Sequence, residues 1–391
     1  MGNRTTTQKP PERQTEQTEQ SQHLNTIFQT LKELPTSFRQ SQCVVHRHEI
    51  LICGGRYQRA CYSYHTLKNE YMFICEYPSD IILDGYCVVK LEDNNNNNRN
   101  EITLLSFGGV YNHTSVMKYV SVWDNISKKL NKFNNYNKWT PFTDNQNNPI
   151  IIGKNNSYYW GVRAVIGGSN NHLLFITCRK NNISVFDLNT FQFIKYDILP
   201  TDYYIEYHCF VLKSKNGQGQ EMMKINQQNY QMLLFYKNTG LSIEYNENDN
   251  TFQFHKLTVC DDFKSLIAYA YVCINDDILF FGGSNDKNVV SKSVYKYSIR
   301  EKKWMIFENT LPSPLKDCTA ILNKEDDHIY IIGGLDDKNK TISVHMRTKV
   351  CVWDVSQLVI IIHYWIRTLK IKLGWIDDFD KIVVMYSINE I

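Results

Sequence analysis

Histidines and paired aspartates are the residues of this chain whose types and spacing could support metal binding or acid–base chemistry. His46 and His48 alternate as two metal ligands on a strand would, but alternation also gives a solvent-facing stripe, which we favour. Three aspartate pairs could act as acid and base or hold calcium, but each lies at a predicted turn, where aspartate is common: Asp276-Asp277, Asp326-Asp327 and Asp336-Asp337. We therefore predict no catalytic residue, no metal and no cofactor.

Cysteine and nucleotide motifs are also missing from the sequence. The chain has 11 cysteines, an odd number, and no CxxC pair, which argues against a zinc ribbon or a redox motif. Most of them lie in apolar runs such as Ile50-Leu51-Ile52-Cys53, where a free thiol behaves as a small buried hydrophobe. Neither a dinucleotide-binding GxGxxG string nor a nucleophile GxSxG string is present. Free thiols suit a reducing compartment, so we expect a cytoplasmic protein.

Composition indicates a folded protein without a nucleic-acid surface. Of 391 residues, 42% are hydrophobic and 13% aromatic, which is enough to build a core. The 43 basic and 40 acidic residues leave a net charge of +3, too small and too dispersed for binding nucleic acid. The longest near-continuous apolar run, Leu358 to Ile366, is about half of a membrane span. We therefore expect no transmembrane segment.

Short β-branched and aromatic runs, separated by polar clusters, are the elements that would position these residues. This pattern is typical of an all-β fold. Four of the runs end in a glycine pair, for which we predict a structural role: Gly54-Gly55, Gly108-Gly109, Gly282-Gly283 and Gly333-Gly334. The first two pairs are 54 positions apart and the last two are 51 apart, a period that suits one propeller blade.

A second regularity predicts hairpins, because an aromatic residue is followed seven positions later by another large apolar residue, with a polar turn between them. The pairs are Tyr64 and Tyr71, Trp123 and Leu130, Phe186 and Phe193, Tyr245 and Phe252, and Tyr297 and Trp304. Two of the pairs lie in stretches without a glycine pair and mark degenerate units. We predict six units, at about 36–76, 82–141, 160–200, 204–258, 265–312 and 315–355, with seven blades left open.

The glycine pair followed by tyrosine and tryptophan, clearest in residues 278–311, resembles the kelch repeat. The chain as a whole resembles the kelch-motif proteins expanded in amoeboid protists, on the strength of residues 28–35 and 374–381. This resemblance implies a six-bladed kelch-type β-propeller at residues 26–355, acting as a non-catalytic scaffold that binds a protein partner through its loops. The alternative is a kelch-type propeller enzyme acting on a carbohydrate or a similar small molecule.

The ends of the chain carry separate expectations. Residues 1–25 are polar and are predicted to form a disordered tail. Gly2 lies in a pattern for N-myristoylation, which would give weak membrane association if the glycine is acylated. Residues 356–391 form an apolar segment that we expect to be helical.

Binding is predicted in the loops that follow the glycine pairs, because these loops are rich in side chains that serve as interface anchors or rim charges. The candidates are Arg56, Tyr57, Arg59, Tyr111, His113, Asn285, Asp286, Lys287, Asp336 and Asp337. Arg56, Tyr57 and Tyr111 are the strongest of them, because Arg and Tyr are over-represented where truncation weakens binding most. The sequence does not identify the protein partner.

Overall fold

The computed structural model describes residues 27–91, 101–124, 136–153, 159–213 and 229–353. The predictions for Gly2, the tail at 1–25 and the segment at 356–391 lie outside these residues. Within them there are 24 strands and one 3-10 helix, Val350–Val352. In this part of the chain no helix has the length and apolar character needed to cross a bilayer.

Six four-stranded antiparallel sheets form the fold, and the predicted all-β six-bladed propeller is confirmed. Blade 1 contains β2 Cys43–His46, β3 Glu49–Gly55, β4 Gln58–His65 and β5 Glu70–Glu76. Blade 2 contains β6 Tyr86–Leu91, β7 Glu101–Gly108, β8 His113–Val120 and β9 Thr140–Pro141. Blade 3 contains β10 Arg163–Gly167, β11 Leu173–Cys178, β12 Asn182–Asp187 and β13 Gln192–Ile198.

The remaining blades follow the same order until the last. Blade 4 contains β14 Cys209–Leu212, β15 Asn229–Tyr236, β16 Thr239–Asn246 and β17 Thr251–Leu257. Blade 5 contains β18 Ala270–Ile274, β19 Asp277–Phe281, β20 Val294–Ser298 and β21 Lys303–Ile306. Blade 6 contains β22 Thr319–Asn323, β23 His328–Ile332, β24 His345–Lys349 and, as its outer strand, β1 Gln29–Thr30 from the start of the chain.

Burial falls from the centre of each blade to its outer edge. The second strands are buried almost throughout, as in β3 and β11, because both of their faces pack against neighbouring blades. The fourth strands alternate between exposed and half-buried residues, as in β13 and β17. The first strands lie against one another, with β10 between β6 and β14, and surround the central axis. The core therefore consists of layers between blades.

Four of the five predicted hairpin pairs are directly opposed in adjacent strands, so these hairpins are confirmed. The fifth pair includes Leu130, which is not among the described residues. In blade 3, Phe186 faces Phe193 with ring centroids 5.0 Å apart, and the other three pairs are 4.9–5.2 Å apart. Each pair stacks two outer strands of one blade and buries its inner ring against the preceding blade, which for blade 1 is blade 6. The opposed pairs are Tyr64 and Tyr71, Phe186 and Phe193, Tyr245 and Phe252, and Tyr297 and Trp304.

The histidine stripe predicted at His46 and His48 is wrong. Residues 47 and 48 form the tight turn between β2 and β3, with Arg47 at a φ of 56°. The side chain of His46 is buried and Arg47 is exposed, so no face of a continuous strand presents both histidines. The aspartate pairs lie in or beside turns, as predicted, and Asp336 accepts the backbone N–H groups of Lys338 and Lys340.

Candidate functional site

Two sets of loops emerge on one side of the propeller, which we call the upper face. One set joins the second strand of a blade to the third and contains the glycine pairs. The other set leads from the fourth strand into the first strand of the next blade. Because antiparallel strands alternate in direction, both sets leave the sheet at the same end. The two sets contact each other where Arg56 N donates to Arg39 O (2.9 Å) and Tyr57 N donates to Leu83 O (2.8 Å).

A ring of left-handed backbone surrounds the central mouth of the upper face. One residue just before each first strand has a φ between 50° and 74°: Gln40, Gly85, Gly161, Tyr207, Ala268 and Asp317. Neighbouring members are joined by hydrogen bonds from Gly161 N to Gly85 O (2.8 Å) and from Tyr207 N to Gly161 O (2.9 Å). Equivalent bonds join Asp317 N to Ala268 O (2.8 Å) and Gln40 N to Asp317 O (2.8 Å). The blades are therefore connected by main-chain bonds at the mouth.

The carboxylate of Asp84 gathers four side chains beside this ring, from blade 1 and from the loops that lead into blades 3 and 4. It is only 6% exposed, and its Oδ1 lies 3.2 Å from Arg56 Nε. Trp160 Nε1 donates to Oδ1 (3.1 Å), as does the Tyr207 hydroxyl (3.3 Å), while the Tyr57 hydroxyl donates to Oδ2 (3.0 Å). We call these five residues the Asp84 cluster. Their geometry is fixed by one ion pair and three hydrogen bonds, so the cluster is pre-organised.

Further cations lie against the aromatic rings of this cluster. The Arg179 guanidinium is 5.2 Å from the centroid of the Trp160 ring, and its Nε lies 3.6 Å from Glu206 Oε2. The Arg163 guanidinium is 5.7 Å from the centroid of the Tyr207 ring. Such cation–π contacts help to hold both guanidinium groups beside the rings, and for Arg179 the Glu206 carboxylate adds an ion pair.

Burial at the mouth shifts the pKa of three acidic groups toward their protonated forms. Desolvation raises the pKa of the Tyr207 hydroxyl, and the nearby carboxylates of Asp84 and Asp317 raise it further. Desolvation also raises the pKa of Asp317, although a hydrogen bond from Gln40 opposes the change. The pKa of Glu206 is raised by burial, against the attraction of Arg179. Tyr207 is therefore a neutral hydrogen-bond donor at neutral pH.

Part of the predicted binding set lies on this face. Arg56 and Tyr57 belong to the Asp84 cluster. Asp286 pairs with Lys237 Nζ at 3.0 Å, linking the loops of blades 5 and 4. The exposed fraction of Tyr111 is 61%, and Lys287 and Asp337 are also exposed.

Other members of the predicted set have structural contacts instead. His113 is the first residue of β8, and its Nε2 lies 2.8 Å from Ser106 Oγ, while burial lowers its pKa to about 4. Arg59 lies in β4 and donates to Tyr77 O at 3.2 Å. The side chains of Asn285 and Asp336 each accept two backbone N–H groups of their own turns.

Sequence reasoning missed most of the Asp84 cluster, because Asp84, Trp160 and Tyr207 lie in the blade-to-blade loops. Those loops vary in length and share no glycine pair. A signal was present in Asp84-Gly85 and Trp160-Gly161, where a large side chain precedes a glycine just before a first strand. Only the circular arrangement of the blades brings these positions together.

Exposed apolar side chains are concentrated on the upper face. Of the 14 large apolar residues exposed in the described chain, one, Leu67, lies in the loops of the opposite face, and five lie on outer strands. The other eight lie in upper-face loops: Tyr57, Ile82, Val110, Tyr111, Ile151, Tyr203, Tyr204 and Val289. An uneven distribution of this kind is typical of an interaction surface.

No group of three or more His, Cys, Asp or Glu side chains in the described ranges is arranged to hold a metal ion. All 11 cysteines are free thiols. The candidate site is thus not a metal or disulfide site of the described residues but the Asp84 cluster with Arg163 and Arg179, an aromatic and cationic surface around the buried Asp84 carboxylate.

Comparison with known proteins supports the architecture. The kelch motif family model matches residues 268–309, which span blade 5. A solved structure of YjhT is 12% identical, with a TM-score of 0.53, covering 81% of this chain and 95% of that chain. At this identity the likeness shows the fold alone, and because 1034 solved chains match, it does not select a function. A search of curated proteins found no match. This chain is thus a six-bladed β-propeller that contains a kelch motif.

Proposed function

We propose that the protein is a non-catalytic interaction module that binds a protein partner on its upper face. The observation that carries this proposal is the concentration of exposed apolar side chains in the upper-face loops, against Leu67 alone in the loops of the opposite face. Four of the five exposed tyrosines of the described chain lie in these upper-face loops.

The chemistry of these side chains supports a protein partner. Tyr57, Tyr203 and Tyr204 are 57%, 48% and 60% exposed, and tyrosine is enriched where truncation weakens an interface most. The Asp84 carboxylate holds Tyr57 and Arg56 in place before binding, which lowers the entropy cost of association. We also propose a cytoplasmic location, supported by the 11 free thiols.

The test is affinity capture from cell extract with quantitative mass spectrometry. A triple variant, Tyr57→Ala with Tyr203→Ala and Tyr204→Ala, should reduce the recovery of the bound partner about tenfold or more, because each ring is expected to anchor the interface. Leu67→Ala is the matched control, since it removes an exposed apolar residue from the opposite face. Equal recovery of every captured protein by the triple variant and by the control would contradict the proposal.

A second candidate function is catalysis at the mouth on a carbohydrate or a similar small molecule. It is favoured by Tyr207 and Asp317, which lie near each other at the mouth and whose pKa values are both raised by burial. Shifted pKa values of this kind are common for acid–base residues. Tyr207→Phe separates the two functions, because it removes a hydroxyl without removing the ring. Turnover of a sugar substrate that Tyr207→Phe abolishes, with partner capture retained, would favour the enzyme.

A further inference from the structure

We propose that the cleft between the outer parts of blades 2 and 3 binds a neutral oligosaccharide. This outer cleft has a volume of about 810 Å³, within the usual range for small-ligand sites. One wall is the segment 142–153, which leads out of blade 2. The other wall is the hairpin that joins β12 to β13 in blade 3. The cleft is separate from the Asp84 cluster, and of the eight exposed apolar residues of the upper face only Ile151 lines it.

A shortened outer strand produces the cleft. The fourth strand of blade 2, β9, has only two residues, whereas β5, β13 and β17 have seven each. Within the described residues, the outer strand of blade 3 is therefore longer than that of blade 2. Tyr196 on β13, which lines the cleft, is 58% exposed.

An aromatic platform stands inside the cleft. The rings of Phe193 and Tyr196 are stacked, with centroids 5.0 Å apart and planes at 30°. Phe193 supports one face of the tyrosine ring, so the ring is held in place while more than half of the side chain remains exposed. The flat C–H face of a sugar ring is a suitable partner for an open aromatic face of this kind.

Amide side chains surround the platform. Asn145, Gln146 and Gln192 line the cleft, and each amide offers both donors and acceptors. A side chain that both donates and accepts hydrogen bonds suits the hydroxyl groups of a sugar, which also do both. A site built to hydrogen-bond hydroxyl groups rejects analogues that lack them.

The charge of the lining selects against an anionic ligand. Among the described residues that line the cleft, Asp144 alone carries a charge. Its carboxylate is committed to its own turn, where it accepts Gln146 N (2.8 Å), Asn148 N (2.8 Å) and Asn148 Nδ2 (3.0 Å). An acidic ligand would find no cationic partner among the described lining residues, whereas an uncharged sugar chain needs none.

The test is isothermal titration of the full chain with three probes: cellohexaose, laminarihexaose and chitohexaose. At least one of these probes should bind. Tyr196→Ala, which removes the platform, should raise the Kd for that probe about tenfold or more. Gln192→Ala, which leaves the aromatic rings in place, should also weaken binding. Phe73→Ala is the control, because Phe73 is a 52% exposed ring on the outer strand of blade 1. The Kd of the Phe73→Ala variant for the same probe should match that of the unmodified chain.

Ionic strength gives an independent readout, since binding of a neutral ligand should not change between low and high salt. The proposal is overturned if none of the three probes binds at about 10 mM, a concentration at which even a weak site is occupied. It is also overturned if Tyr196→Ala and Gln192→Ala, both with unchanged circular dichroism, leave the Kd unaltered. Loss of a captured protein partner on Tyr196→Ala, without sugar binding, would make the cleft a protein interface instead.

Discussion

Thr30, near the start of the described chain, pairs in register with Met346, near its end. The next residue, Leu31, donates its backbone N–H to His345 O at 2.8 Å, and the rings of Phe28 and Trp353 are 5.7 Å apart. The outer strand of blade 6 is thus supplied by the N-terminal side of the chain. This arrangement closes the ring through strand pairing, so the blade interfaces at both ends of the sequence form together.

Breaking this closure should destabilise the whole propeller. Leu31→Pro removes the N–H that bonds to His345 O, and it also replaces a buried leucine side chain. We expect a loss of about 3 kcal/mol in the free energy of unfolding, measured by urea denaturation. Glu33→Ala, at an exposed position two residues later, is the control. Equal midpoints for Leu31→Pro and the control would show that β1 is dispensable.

The repeat made most of this fold predictable from sequence. Glycine pairs and the aromatic pairs seven residues apart located the blades, including two without glycines, because each blade repeats one local pattern. The strand β1 was not predicted, since Gln29 and Thr30 are two exposed polar residues with no periodicity. Its existence depends on a partner more than 300 positions away. Local patterns contain no information on such a pairing.

The candidate site was predictable only in part. Arg56 and Tyr57 follow a glycine pair, so the repeat identified their loop. Asp84 comes from a different loop, and its role depends on the ring of blades that places it 3.2 Å from Arg56. His113 was placed in a loop by its sequence position, but it begins β8 and its ring is largely buried. Burial and long-range contact decide these roles.

Two glycines should resist substitution because of their backbone conformation and their neighbours. Gly282 has a φ of +65°, and a Cβ there would lie 2.1 Å from Leu315 O; at Gly333 the φ is +61°, and a Cβ would lie 2.3 Å from Phe38 O. Gly282→Val and Gly333→Val should each lower stability by more than about 1 kcal/mol. Thermal denaturation measures the effect. Gly167→Ala, at ordinary φ, should cost less, and unchanged melting temperatures in both valine variants would contradict the expectation.

Buried histidines should make the fold sensitive to acid. Desolvation lowers the pKa of His345 to about 3 and moves the pKa of His208 well below its usual 6.5. The folded state keeps these rings neutral, whereas the unfolded chain binds protons as the pH falls below about 6.5. Stability is therefore fully present above that pH and is lost as the pH falls toward 3.

The contribution of one ring can be isolated by substitution. Lowering the pH from 7.5 to 5 should cost stability at each of these buried histidines, so His208→Gln should reduce the loss in the free energy of unfolding between those pH values. Urea midpoints at the two pH values give the measurement. His255→Gln, at a largely exposed ring, is the control. The same pH dependence in both variants would contradict the assignment to His208.

The last prediction concerns the carboxylate of the Asp84 cluster, which organises the upper face. Asp84→Ala would leave the Arg56 guanidinium without its carboxylate and the Trp160 and Tyr207 donors without their acceptor. Because Asp84 is 6% exposed, we expect a loss of about 2–3 kcal/mol in the free energy of unfolding. The double variant with Arg56→Ala should cost less than the sum of the two single changes, with a coupling of about 1 kcal/mol.

Asp84→Asn tests whether the carboxylate organises the binding surface, separately from its effect on stability. An amide oxygen still accepts hydrogen bonds, but it no longer pairs with the charge of Arg56. We expect the fold to persist, and the capture of the upper-face partner to fall, because Arg56 and Tyr57 lose their fixed positions and must be ordered on binding. Lys264→Ala is the matched control, because it breaks an exposed ion pair with Asp261 on the same face without touching the cluster. If Asp84→Asn captures the partner as well as the unmodified chain does, the cluster supports the fold alone and the binding surface lies in the outer loops.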